Sequence, residues 1–212
     1  MQFQDFYNLH KGETCLLVGN GENVSLTPPQ SFRLPSFGMN TIYRYEGWKP
    51  TYYTAVDNRV MREFGKEIAE KYADIPKFVP VGLKDWPGEN FIVFNHLAAD
   101  LKNGWKPETL KDGMTYHSSM HAAMQLAYWM GFTTLLMIGV HHKPNEAPRH
   151  FWGVDEGMHG NLPIEDWMNG YKTLVDGMFV RGVTVINISR DTHVSSDILP
   201  RGNWHDWSYD AN

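Results

Sequence analysis

Several apolar runs in this chain end on residues that can hydrogen-bond or titrate: Asn20, Asn40, Asp57, Asn95, the pair His141 and His142, and Asn187 followed by Ser189. Asparagine can bond a phosphate or a ribose. Asp57 can take ribose hydroxyls, or Mg²⁺ arriving with a nucleotide. A neutral imidazole can accept the proton of a hydroxyl near pH 7. Asn and Asp also punctuate strands simply because they favour turns. The recurrence of polar strand ends along one chain is what points to a shared crevice.

The first of these ends lies in "CLLVGNGENVSL", Cys15 to Leu26. Four apolar residues run into Gly19, Asn20 and Gly21, the pattern of a strand closing in a tight turn. It is not the dinucleotide fingerprint, because Val24 stands at the third glycine, and no Lys-Ser/Thr pair follows to make a P-loop. Gly19 and Gly21 are expected to let the backbone approach a ligand, with exposed N–H groups facing a phosphate. A second cluster is "HSSMHAAMQLAYWMG". Ser118 and Ser119 open a helix whose dipole favours negative charge, or they serve only as its cap. His121 falls inside that helix and reads as a satisfied structural histidine.

The elements that must position these residues follow from periodicity. "TCLLVGN", "SFGMN", "TYYTAVD", "KFVPV", "FIVFN", "TLLMIGV" and "VTVINIS" read as strands. "RVMREFGKEIAEKYA" carries Val60, Phe64, Ile68 and Tyr72 at a helical period. "PIEDWMNGYKTLVDGMFVRG" is a helix that starts near Pro163 and closes at Gly182. Continuous rather than alternating apolar strands, interleaved with helices, predict an α/β fold: a Rossmann-like three-layer sandwich on a mainly parallel sheet. The expected organisation is a single domain over 1–212, with a core of about 14–189 and a C-terminal tail from 190 to 212.

Composition narrows the function. At 212 residues, 42% hydrophobic and 20% charged, the chain has the make-up of a folded globular protein. Its net charge of −5 gives no general pull toward nucleic acid or an anionic membrane. The lone Cys15 excludes an internal disulfide and a thiolate metal cage. "MQFQDFYNLHKGE" has neither a basic nor an apolar leader region, and the longest apolar run is too short to span a bilayer, so a cytoplasmic protein without membrane attachment is expected. An assembly of identical chains is left open.

In order along the chain, the GNG loop, "FGMN", "YYTAVD", "SSMHAAMQLAYWMGFTTLLMIGV" and "VINIS" resemble two related groups. One is the bacterial sialyltransferase family with a GNGPSL loop on a Rossmann-like fold; the other is the hydroxymethylpterin diphosphokinase-like family. The resemblance covers most of Thr14 to Ser189, with Ser118–Val140 its most specific segment. It implies that Asn20, Asn40 and Ser119 hold a donor nucleotide, and it nominates His159, in the loop ahead of Pro163, as general base. His141 and His142 are placed near the donor phosphates, and Gly21, Asp57, Ser118 and Asn187 complete the expected binding set.

The departures are specific. The loop reads GNGENVSL, and His141 stands where these families usually carry Asp. The tyrosines that steady the departing phosphate in the sialyltransferases have no counterpart between His141 and Asn161, which leaves Lys143, Arg149 or His150 for that task. The implied function is sugar transfer from an activated nucleotide donor to a hydroxyl, on a glycan or a hydroxymethylated DNA base. The alternatives are Mg²⁺-dependent diphosphate transfer from ATP and a nucleotide-binding domain without chemistry. His141, His142, His150, Asp155 and His159 supply enough ligands for a metal, but not at a known ligand spacing, and no metal site is assigned.

Overall fold

A computed structural model of the chain describes residues 1–83, 89–98, 101–143, 149–154 and 164–209. Its centre is a strand, β1 (Thr14–Val18), whose side chains are buried alternately on both faces. Cys15 and Leu17 enter one apolar cluster, Leu16 and Val18 the other. A strand buried on both sides cannot alternate polar with apolar residues, which is why "CLLV" reads as a continuous run.

From β1 the sheet grows in one direction through β2 (Ser36–Met39) and β3 (Tyr52–Thr54), then, after helix α1 (Asn58–Lys71), through β4 (Lys77–Pro80) and β5 (Phe91–Phe94). The chain then crosses back through helix α2 (Ser119–Trp129) and adds β6 (Thr134–Ile138) on the other side of β1. After the small hairpin β7 (Arg149–His150) and β8 (Gly153–Val154) come helix α3 (Ile164–Phe179) and strand β9 (Thr184–Asn187). The seven strands run β5-β4-β3-β2-β1-β6-β9, every neighbouring pair parallel. Helices cover both faces, so the α/β Rossmann-like single domain expected from the periodicity is the fold observed. The order reverses between β1 and β6, and ligands in such sheets bind beyond the strand ends at that point.

α2 is buried on nearly every side: Met120, Ala122, Ala123, Met124, Leu126 and Ala127 all lie in the core. Small and flexible side chains let it lie close to the sheet, and a helix apolar all round belongs inside. Ser118 caps its start by accepting from the His121 amide, and Gly131 ends it with φ +88°. α1 is amphipathic instead, with Val60, Met61, Ile68 and Ala69 turned inward. Its end is held by the buried Lys77, whose Nζ donates to the carbonyls of Tyr72 and Ile75 at 2.6 and 2.8 Å.

The stretch after Ser189, expected as a tail, packs on the body as far as Tyr209. Val194 and Leu199 join the core, the Arg201 guanidinium donates to the Ser189 carbonyl, and the Tyr209 amide donates to the Ser31 carbonyl. Among the described residues no helix is long and apolar enough to cross a membrane.

Candidate functional site

A cavity of about 370 Å³ opens where the sheet order reverses. One wall comes from the ends of β1, β2 and β3 with the start of α2: Asn20, Asn40, Asp57, Ser118 and Ser119. The opposite wall comes from the end of β6 and from α3: His141, His142, Lys143, Trp167 and Tyr171. The hairpin residue His150 closes one side.

The glycines of the opening loop do something other than cradle a phosphate. The Gly19 amide donates to the Ile138 carbonyl and the Gly21 amide to the Gly139 carbonyl, each at 2.9 Å. Neither N–H is left for a ligand. A Cβ at Gly19 would sit 2.6 Å from the Gly139 carbonyl oxygen, and one at Gly21 would sit 2.7 Å from it. Gly139 itself has φ +69° and faces Gly19. The three glycines therefore let the β1 and β6 loops pass backbone against backbone at the switch point. The expectation that exposed N–H groups of Gly19 and Gly21 bind phosphate is corrected: their hydrogen-bonding capacity is already committed to the neighbouring loop.

The side chain between them is available. Asn20 is 7% exposed, and its Oδ1 accepts a 3.4 Å bond from the Thr41 hydroxyl. Its Nδ2 makes no hydrogen bond to any described residue. Asn40 adopts φ +49°, a left-handed conformation asparagine tolerates. Its Oδ1 accepts from the Ser119 hydroxyl at 2.7 Å, and Ser119 Oγ in turn accepts from the Val56 amide at 3.2 Å. This leaves the Asn40 Nδ2 as a second donor on the cavity wall. The first amides of α2, at Ser119 and Met120, have no intrahelical acceptor, as at any helix start, and both residues line the cavity. Uncommitted donors and a helix N-terminus thus converge on one space, where negative charge is favoured.

Asp57 is partly spoken for. Its Oδ1 accepts from the Arg59 amide at 2.7 Å as the cap of α1, and the residue also lines the cavity. Asn187 does not reach the cavity: it is fully buried, and its Oδ1 accepts from the Ser189 amide at 3.0 Å. Its place in the expected binding set is corrected, because a strand end at the sheet's margin turns inward to organise the next turn. Ser189 accepts from the Val140 amide and is likewise internal. Asn95 lies at the end of β5, far along the sheet, with its Nδ2 on the Asp112 carbonyl.

The histidines divide by their partners. His141 Nδ1 is 2.9 Å from the Asp191 carbonyl and Nε2 is 3.1 Å from the Glu22 carboxylate. Both nitrogens lie beside protein oxygens, although Nε2 makes no hydrogen bond to any described residue. His142 sits at φ +44°, an uncommon conformation for a non-glycine residue. Its Nε2 lies 3.1 Å from the Tyr171 hydroxyl, and burial, then His141, hold its pKa down to about 4. It is neutral at pH 7. His121 is fully buried, accepts the His117 amide at Nδ1 and pairs Nε2 with the Trp167 carbonyl, its pKa held at about 3 chiefly by burial. It is the structural histidine its helix position suggests. His159 lies outside the described residues.

Sequence reasoning missed three contributors. Tyr171 and Trp167 reach the cavity from α3, where Gly170 lets the helix close on His121: a Cβ there would be 2.5 Å from the imidazole. Trp152, in the hairpin, donates from Nε1 to the Thr41 hydroxyl at 2.9 Å and stacks on His150. The Phe151 amide donates to the Asn20 carbonyl, so the hairpin is fastened to the glycine loop. Only the tyrosine at an inward helical position could have been suspected from the sequence.

No known family model matches the chain, and no curated protein matches it. Among solved structures it is similar to the MAf glycosyltransferase from Magnetospirillum magneticum AMB-1, with a TM-score of 0.56 and 12% sequence identity. The match covers 95% of this chain and 37% of that one, so the chain spans little more than a third of its neighbour's length. The likeness establishes the class: an α/β Rossmann-like fold shared with a glycosyltransferase.

Proposed function

We propose that the chain binds a nucleotide-activated sugar in this cavity and transfers the sugar to an acceptor hydroxyl. One observation carries the reading: Asn20, Asn40 and the N-terminus of α2 converge on a single cavity at the switch point of the sheet. Donors of that kind bind phosphate and ribose oxygens without needing a lysine. Asp57, which lines the same cavity, is the proposed partner of the ribose hydroxyls. The fold shared with a glycosyltransferase supports the same reading.

In the transfer, the acceptor hydroxyl loses its proton to an imidazole nitrogen, for which His159 is the candidate. The hydroxyl oxygen forms the bond to the anomeric carbon. The bond from that carbon to the phosphate oxygen breaks, and its electron pair leaves on the phosphate. A glycan or a hydroxymethylated DNA base is the proposed acceptor.

Thermal shift with CMP, UDP, GDP and ATP, with and without Mg²⁺, tests the binding half. One nucleotide at a hundred times its Kd stabilises the fold by about 2.7 kcal/mol, and we expect this without Mg²⁺. Turnover of the matching sugar nucleotide should persist in EDTA. Stabilisation by ATP alone, and only with Mg²⁺, would replace sugar transfer by diphosphate transfer. No shift with any nucleotide would end the reading.

A further inference from the structure

Tyr171, on the α3 wall of the cavity, occupies a junction. Its ring packs edge-on against His121, with centroids 4.5 Å apart. Its hydroxyl lies 3.1 Å from His142 Nε2 and has no other hydrogen-bond partner among the described residues. The residue is 1% exposed, and burial pushes its pKa well above the usual phenol value, so it is a neutral O–H group.

A buried phenol has to give its proton, and among the described residues His142 Nε2 is the acceptor its hydroxyl reaches. Tyr171 therefore donates to His142 Nε2. A neutral imidazole that accepts at Nε2 must carry its proton on Nδ1. His142 Nδ1 makes no hydrogen bond to any described residue, and His142 lines the cavity.

We propose that Tyr171 holds His142 in the tautomer that presents Nδ1–H to the cavity, where it donates to a phosphate oxygen of the bound nucleotide. The phosphate half of this proposal rests on the nucleotide reading above; the tautomer half does not. Tyr171 is a positioning residue, and His142 the group that touches the ligand. The left-handed backbone at His142 fits the same task, since local strain at a strand end aims the ring inward.

The tautomer is read directly from the unliganded 212-residue chain labelled with ¹⁵N-histidine, by long-range ¹H–¹⁵N correlation at pH 7. The signals of His142 are identified by their loss in His142→Asn. The expected pattern is the Nδ1–H form in the wild type, shifting to the Nε2–H form in Tyr171→Phe, which keeps the ring packing and removes only the hydroxyl. An Nε2–H wild type, or a Tyr171→Phe spectrum identical to it, overturns the assignment. For the phosphate contact, CMP and UDP are titrated calorimetrically against cytidine and uridine. Tyr171→Phe and His142→Gln should weaken the nucleotide about tenfold or more, and leave the nucleoside unchanged. His142→Asn should stay within about threefold, because its amide N–H sits where Nδ1–H does and asparagine tolerates the backbone. Equal losses for nucleotide and nucleoside overturn the contact. A wild type that binds no nucleotide overturns the contact together with the functional reading, while the tautomer result still stands or falls by itself.

Discussion

The two walls of the cavity solve the same problem by opposite means. The wall from β1, β2 and α2 uses short amides and hydroxyls that spend one hydrogen bond on each other and keep another, as Asn40 does with Ser119. The wall from β6 and α3 uses rings, among them His142, whose imidazole is held neutral by burial. Amides keep their hydrogen-bonding character at every pH and in every surrounding. Imidazoles take theirs from what is packed around them. The first wall is therefore a property of residue type, the second a property of the packing.

The largest test concerns His159. His159→Ala should lower kcat about 10²–10⁴-fold while nucleotide affinity holds, as removal of a general base does. Unchanged turnover in that variant, with turnover abolished in His142→Asn, would move the base onto the imidazole wall and dissolve the division between them.

The seam joining the walls is the next place to press. Gly139→Ala puts a methyl group against the Gly19 backbone at φ +69°. We expect a loss of roughly 1–3 kcal/mol or more in a urea titration, since the neighbouring atoms are backbone and cannot swing away. A variant as stable as the wild type would mean the loops have room that the close approach denies them.

On the amide wall, Asn20→Ala, Asn40→Ala and Ser119→Ala should each weaken nucleotide binding by roughly 1–3 kcal/mol by calorimetry. Asn187→Ala should leave affinity unchanged and reduce stability alone. An equal effect on binding from Asn187→Ala would dissolve the distinction between cavity-lining and internal strand-end residues.

A further effect is read from pH. His142 and His121 have folded pKa values near 4 and 3, against about 6.5 when unfolded. The unfolded chain thus binds protons that the folded chain refuses. Their contribution is whole above pH 6.5 and drains as the pH falls toward 4 and then 3. The slope is about 1.4 kcal/mol per pH unit for each histidine over that window. Urea midpoints between pH 7 and 5 should fall accordingly, with a shallower slope in His142→Asn. A slope unaltered by that substitution would show that His142 does not take its state from burial.

How much of this was legible beforehand varies by region. α1 showed itself through Val60 and Ile68 at helical spacing, and α2 through its serine start and glycine stop. The cavity's amide wall was legible because Asn20 and Asn40 close apolar runs, and a parallel sheet brings such ends together. Asn187 has the same local signature and turns inward. Nothing in "VINIS" distinguishes it from "FGMN", because the difference lies in strand order: β2 lies inside the sheet and β9 is its edge strand.

The sequence by itself determined the parallel α/β fold, since strands buried on both faces must be apolar throughout and parallel strands need crossovers. It also determined which residues stand at the strand ends. Only the tertiary structure decided what the glycines and histidines are for. Gly19 and Gly21 looked like a phosphate loop until Gly139, 120 and 118 positions further on by residue number, took up both their space and the Gly21 N–H. His142 and His121 are held neutral because their pKa values come from desolvation, under partners such as Tyr171. Those partners are distant in the chain, and only folding makes them neighbours.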